Sequence, residues 1–316
     1  CVVLNSGNTE SLNTCIKGIL KKGDHVITTY AEHNSVLRPL YQLEKANIIT
    51  LSITSPTVEG IKKHLQKKTK MIIVTHSSNV TGEIYPIAEI GKLAHENGIL
   101  MMSDIAQSAG HLLIDMEKMN LDILCFSGHK GLLGNSGVGG FCLAQSIEME
   151  PLISGGTGMD SFNHFQSDYY PEHVEAGTRN MTGIASLKAG IFYLMKYHDE
   201  KSKYTNELVE FLYDGLKNIS QVVLYGDFKE RTPILAFNIQ GMDSFQAADL
   251  LNNKYDIAEY EIDTRFGGHC APLMHQHLNT VKSGIVRVSL SFMNTKEEIQ
   301  FFIKAIQEIS EGNYDN

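Results

Sequence analysis

Short apolar runs alternate with stretches of helical periodicity along the first half of the chain. Cys1–Leu4, His25–Tyr30, Asn47–Ile53, Met71–Thr75, Ile99–Ser103, Asp122–Ser127 and Val138–Ala144 are brief and rich in apolar or β-branched residues, the pattern of buried strands. Between them Ser11–Lys22, the segment following the corner Glu32–Ser35 and running to Ala46, Val58–Lys68 and the stretch opened by Pro86 and running to Asn97 carry apolar residues at helical spacing. Strands separated by helices of about ten residues predict crossover units and a mostly parallel sheet, hence an α/β fold.

The pattern then changes. Residues 151–182 are loop-rich, and Ile184–Asn218 reads as one long helix or two helices broken near Tyr197–Lys203. Val222–Tyr225, Ile234–Ile239 and Val286–Leu290 read as strands, Ser244–Lys254 as a helix and Lys296–Ser310 as an amphipathic terminal helix. This divides the chain into a large domain, 1–200, and a smaller α/β domain, 201–316. No internal repeat or low-complexity tract is present.

Polar corners follow the strand ends: Asn5–Thr9, His33, Asn79, Asp104–Gln107 and Ser127-Gly128-His129-Lys130. In an open α/β sheet the carboxyl ends of the strands converge on one crevice, so these corners are expected to meet. An Asp and a Lys delivered there could hold the two ends of an aldehyde-bearing ring, the lysine as a Schiff base and the carboxylate on a protonated ring nitrogen. Alone, Asp104 reads equally as a helix cap and Lys130 as a solvated loop residue. The turn at Asn8 and Thr9 suits a phosphate at a helix N-terminus, or a plain cap, and lacks the Gly-Lys-Ser/Thr ending of a nucleotide-binding loop. His33 at its corner is either a cap or a catalytic group. The run Gly131–Gly140 lacks the Gly-x-Gly-x-x-Gly spacing and leads into a strand, so it serves close packing rather than a dinucleotide.

Composition narrows the field. A net charge of −9 over 316 residues argues against a nucleic-acid groove, and no apolar run is long enough to span a membrane. Five scattered cysteines without a Cys-x-x-Cys pair fit a reduced, cytoplasmic protein better than a disulfide framework. Within the second unit, Arg265-Phe266-Gly267-Gly268-His269-Cys270-Ala271-Pro272 reads as a loop presenting a thiol. Cys270 reads alternatively as a buried structural thiol, the commoner fate of a free cysteine, and His269, Cys270, His275 and His277 offer metal-ligating groups in a short span, although no zinc spacing is present.

Five ordered motifs carry a resemblance: Ser-Asp-x-Ala-Gln-Ser-Ala-Gly at 103–110, Ser-Gly-His-Lys at 127–130, Glu-Ala-Gly-Thr at 175–178, Arg-x-Gly-x-His-Cys-Ala at 265–271 and Val-Arg-x-Ser at 286–289. Over its whole length the chain resembles the pyridoxal-phosphate enzymes of aminotransferase class V, in particular cysteine desulfurases of the type that includes selenocysteine lyases. The resemblance implies the type I fold of pyridoxal-phosphate-dependent transferases and a pyridoxal 5'-phosphate cofactor. Lys130 would form the Schiff base and move the substrate proton, Asp104 would pair with the ring nitrogen, Gln107 would bond the ring oxygen, and His33 would stack on the ring. Asn8, Thr9, Ser127 and His129 would hold the phosphate, with Thr178 reaching the phosphate of a neighbouring subunit in a homodimer. Arg287, Asn79 and Arg265 would bind the substrate carboxylate, and Cys270 would take sulfur from cysteine as a persulfide for a possible acceptor protein. Asn8 stands where relatives more often carry Thr or Ala, and a preceding segment with an Asp-Asn-Ala-Ala-Thr-type stretch is expected upstream of Cys1. Two other readings are a class V aminotransferase or related lyase in which Cys270 is incidental, and an inactive protein that binds metal or a partner through residues 269–277.

Overall fold

In the computed structural model, which describes residues 1–144, 147–159, 161–254 and 262–313, the apolar runs become strands β1 (Val2–Asn5), β2 (Asp24–Thr29), β3 (Ile49–Thr54), β4 (Thr69–Thr75), β5 (Leu100–Asp104), β6 (Ile123–Ser127) and β7 (Gly139–Leu143). Helices α1 (Asn8–Ile19), α2 (Asn34–Lys45), α3 (Val58–Lys63) and α4 (Ile87–Glu96) connect them. The chain separates into two compact units, the first comprising 1–76 and 85–196, the second 77–84 and 197–316.

In the first unit the sheet order is β1-β7-β6-β5-β4-β2-β3. β2, β3, β4, β5 and β6 pair in parallel, while β7 runs antiparallel to both its neighbours. Crossover helices cover these strands, which explains why β4 and β6 read as unbroken apolar runs rather than alternating ones. Leu12, Ile16, Val36 and Leu40 from α1 and α2 pack on Val3, Met71, Ile73, Met102 and Phe141. Each such fully buried side chain contributes about 1.5–3 kcal/mol relative to exposure.

The second unit contains the antiparallel sheet β10-β9-β8, from β8 (Val222–Tyr225), β9 (Ile234–Ile239) and β10 (Val286–Ser289). Helices α6 (Ser244–Lys254) and α8 (Lys296–Ser310) share its core, where Phe237 meets Phe302 edge-on. A capping box at Thr295 and Glu298 starts α8.

Three details differ from the sequence-based expectation, and one open alternative, a long helix against two shorter ones, is decided. α1 begins at Asn8 rather than Ser11, with Gly7 as its N-cap, so Asn8 and Thr9 belong to the first helical turn. α3 stops at Lys63, short of Lys68, because His64 closes it and Thr69 already belongs to β4. The long segment is one uninterrupted helix, α5 (Met181–Leu216), since no proline interrupts it. Pro272 opens an unanticipated short helix, α7 (Pro272–His277), directly after the Cys270 loop.

Segment 77–84, inside the region assigned by sequence to the large domain, packs with the second unit. Ser77 Oγ lies 2.9 Å from Thr232 Oγ1, and Thr232 N donates to Gly82 O at 2.9 Å.

Candidate functional site

The first unit gathers polar groups where its parallel strands end. Gly139, on β7, pairs with Ser127 at the end of β6, and a Cβ at Gly139 would fall 2.6 Å from Gly7 Cα. Only a glycine permits that approach. It brings the start of α1 alongside Ser127 and His129. The first N–H groups of α1 have no intrahelical acceptor and, with the helix dipole, form an anion cradle. Around it stand Thr9, exposed, and buried Ser127, whose Oγ lies 3.2 Å from His129 Nδ1.

Asp104 ends β5, and Lys130 lies three residues beyond Ser127, the last residue of the neighbouring parallel strand β6. The two turns that follow touch: at Gly110, whose φ is +83°, a Cβ would sit 2.1 Å from Gly131 O. Asp104 is buried, at 4% exposure. Its Oδ1 accepts from Asn8 Nδ2 and from Ala106 N, both at 2.9 Å, while Oδ2 accepts nothing from the described residues. Half-buried Gln107 follows one turn later, and Lys130 is exposed.

His33 caps α2: Ser35 N donates to its Nδ1 at 3.0 Å. The neutral ring therefore carries its proton on Nε2. Ser35 Oγ lies 2.8 Å from Thr9 Oγ1, linking the cradle to His33. Beside it Glu32 is fully buried, and Oε1 accepts from Thr29 Oγ1 at 2.7 Å and Thr75 N at 3.0 Å. Burial holds this carboxyl up at about 8, with the nearby charge of Asp104 adding to the rise. Sequence reasoning passed over Ser35 and Glu32. Ser35 was findable as the second residue after a capping histidine, whereas the burial of Glu32 has no local signature.

The second unit holds the other group of residues. Arg265 and Arg287 face each other across a two-bond antiparallel bridge. Burial, reinforced by the neighbouring Arg265 cation, disfavours the charged form of Arg287. Neither guanidinium pairs with a carboxylate among the described residues. Two adjacent unpaired cations make an anion site. Arg287 Nη1 donates to Asn79 O at 2.9 Å, and Asn79 Nδ2 donates to His269 O at 2.7 Å. Cys270 is exposed, at the end of two consecutive left-handed residues with φ of +48° at His269 and +58° at Cys270.

The neighbouring histidines are engaged in packing. His269 Nε2 lies 2.9 Å from Ile285 O, its ring stacks on His275, and burial holds it down at about 4. No metal-binding group of three or more His, Cys, Asp or Glu side chains forms among the described residues. Thr178 is exposed on the loop that leads into α5, near Glu175, which accepts Leu4 N at 2.6 Å and pairs with Arg179.

The residues of the first unit fit the implied cofactor. A cradle of free N–H groups suits a phosphate, a buried carboxylate with one open oxygen suits a protonated ring nitrogen, and a lysine on the adjacent strand end suits an aldehyde.

The aminotransferase class V family model matches residues 1–302. Probable cysteine desulfurases of Methanothermobacter thermautotrophicus and Pyrococcus abyssi are each 32% identical over 98% of this chain, which covers 79% and 78% of their lengths. Among solved structures, an apo cysteine desulfurase from Thermococcus onnurineus superposes with a TM-score of 0.86 at 30% identity, and one from Escherichia coli with 0.89 at 26%; each match covers 98% of this chain and 79% of the other. These neighbours bear out the type I transferase fold expected from the motifs. The chain belongs to the class V aminotransferases, a family dependent on pyridoxal 5'-phosphate.

Proposed function

We propose that this protein is a pyridoxal-phosphate-dependent cysteine desulfurase that converts L-cysteine to L-alanine and leaves the sulfur on Cys270 as a persulfide. The observation that carries this reading is an exposed thiol, held on a left-handed turn in the same unit as two arginines without carboxylate partners. The cysteine desulfurases among its relatives support it.

When bound, pyridoxal 5'-phosphate supplies an aldehyde and an electron-accepting ring. Lys130 would supply the amine that holds the aldehyde and would move the proton at the substrate Cα. Asp104 Oδ2 would hold the proton on the ring nitrogen, Gln107 would bond the ring oxygen, and His33 would stack on the ring. The start of α1 at Asn8 and Thr9, with Ser127 and His129, binds the phosphate. Arg287, with Arg265 and Asn79, orients the substrate carboxylate. Cys270 thiolate attacks the substrate sulfur; the new S–S bond forms as the Cβ–S bond breaks, the electron pair stays with carbon, and Cβ takes a proton. Sulfur is thereby oxidised to the sulfane level and carbon reduced, so no outside reductant enters this step.

A homodimer completes the reading, with Thr178 serving the neighbouring subunit. Phe162, Phe165, Tyr169, Met181 and Met195, all exposed on the loop and on α5, support an apolar contact with a second copy. The five free cysteines support a reducing, cytoplasmic setting, and none of the described helices is long and apolar enough to cross a membrane.

The test is alanine and sulfide release from L-cysteine with a thiol reductant. The expected result is release by the wild type and at least a 100-fold loss in Cys270→Ala, with the bound cofactor's visible band retained. Undiminished sulfide from Cys270→Ala overturns the sulfur chemistry and favours a reaction in which that thiol is incidental.

A further inference from the structure

Sulfur transfer places a distance requirement on the second unit. Only the Cα and Cβ of cysteine separate its carboxylate carbon from its sulfur, so once the carboxylate is anchored the sulfur can occupy only a small volume. The attacking thiol must be held in register with the carboxylate clamp. Backbone pairing supplies the first part of that register. Arg265 N donates to Arg287 O at 3.2 Å and Arg287 N to Arg265 O at 2.7 Å, followed by Gly267 and Ile285 at 3.1 and 3.2 Å.

The pairing ends at Gly267, three residues before the thiol. Beyond it the chain bends through left-handed His269 and Cys270, a conformation that non-glycine residues adopt only when their surroundings impose it. Two side-chain bonds hold the bend. One is the His269 ring on Ile285 O at 2.9 Å. The other is Asn79 Nδ2 on His269 O at 2.7 Å, which grips the peptide linking His269 to Cys270. Asn79 is buried, at 8% exposure, and its own carbonyl accepts Arg287 Nη1 at 2.9 Å. Its segment is in turn fixed where Val80 N and Thr81 N both donate to Ser78 Oγ at 3.1 Å. One residue thus touches the clamp through its backbone and the thiol loop through its side chain.

We infer that Asn79 is a positioning residue that sets the spacing between the carboxylate clamp and Cys270, beyond any contact it makes with substrate. The inference rests on the desulfurase reading for its catalytic consequence, but the state of the loop can be read without turnover. A substitution at Asn79 leaves its carbonyl, and so the Arg287 contact, in place. Within the protein it removes the grip on His269.

Two variants test this in cofactor-loaded protein. Asn79→Ala deletes the donor, and Asn79→Asp keeps the shape while facing the His269 carbonyl with an acceptor. Losing a buried hydrogen bond of this kind corresponds to about a 10- to 100-fold effect. Both variants are expected to lower kcat for sulfide release by about that factor, in addition to any rise in KM for cysteine from the lost contact with the carboxylate. Without substrate, both are expected to change the rate of Cys270 alkylation by iodoacetamide at least threefold, as the strained turn relaxes. Asn79→Asp guards against loss of packing in the alanine variant. Alkylation rates equal to wild type in both variants overturn the inference, and so does a rise in KM with kcat unchanged, which marks a substrate contact alone. A wild type that releases no sulfide from cysteine overturns the desulfurase reading, and the alkylation rates still decide whether Asn79 holds the loop.

Discussion

Asn8 Nδ2 donates to Asp104 Oδ1 at 2.9 Å, and Ala106 N donates to the same oxygen at the same distance. With one carboxylate oxygen doubly held, the plane of the carboxyl is fixed and Oδ2 is the oxygen that would meet a ring nitrogen in the proposed site. The amide therefore acts on the acid as well as lying at the mouth of the phosphate cradle. Removing a hydrogen bond to a charged group costs about 1.5–3 kcal/mol. Asn8→Ala is expected to weaken pyridoxal phosphate binding by about 10-fold or more, measured by fluorescence titration of the cofactor-free protein. In an Asp104→Asn background the same change is expected to add little, because the partner charge is already gone. A full and additive loss in both backgrounds would trace the effect to the helix start alone.

His33 caps α2, and in the proposed site it has a second duty toward the cofactor. His33→Ala is expected to lower stability by about 1 kcal/mol through loss of the bond from Ser35 N. Asn is a good N-cap, so His33→Asn is expected to restore the melting temperature without restoring sulfide release, which should stay at least 10-fold below wild type. Recovery of activity in step with stability would assign His33 to capping only.

Glu32 predicts a pH signature. Its folded-state value, about 8, lies above the ordinary carboxyl range, so the folded protein keeps the proton that the unfolded chain releases. The raised value therefore costs stability as pH climbs from about 4.5 to 8, and the cost is absent below that window. Near pH 7 it is on the order of 3 kcal/mol. Glu32→Gln, which is neutral throughout, is expected to gain on the wild type in urea midpoint between pH 5 and 8 and to run parallel to it below pH 4.5. A gap independent of pH would show that Glu32 is ionised in the folded protein.

Arg287→Lys keeps a positive charge and loses the planar fork that reaches Asn79 O and, in the proposed site, an incoming carboxylate. KM for cysteine is expected to rise about 10- to 100-fold with a smaller change in kcat. An unchanged KM in steady-state sulfide assays would remove Arg287 from the substrate site.

Local pattern sufficed for most of the secondary structure because it answers to local physics. Buried parallel strands must be apolar on both faces, so β4 and β6 were legible as unbroken runs, and polar corners after them marked the strand ends that hold Asp104, Ser127 and Lys130. The limits of that reading are equally physical. The start of α1 shifted to Asn8 because Gly7, with no capping side chain, serves as its N-cap, a role that Asn8 or Thr9 would by propensity have filled. α7 was missed because six residues carry too little periodicity to stand out.

The sequence by itself determined the α/β alternation, the residues at the strand-end corners and the glycine-rich loop around Cys270, since each depends on neighbours a few positions away. Only the tertiary structure decided which partners those residues take. Asn8 meets Asp104 across 96 positions, Asn79 meets His269 across 190, and Arg287 meets Asn79 across 208. Such pairings follow from strand order and from the fastening of segment 77–84 to the second unit, which are settled by burial of the whole core rather than by any local stretch of chain.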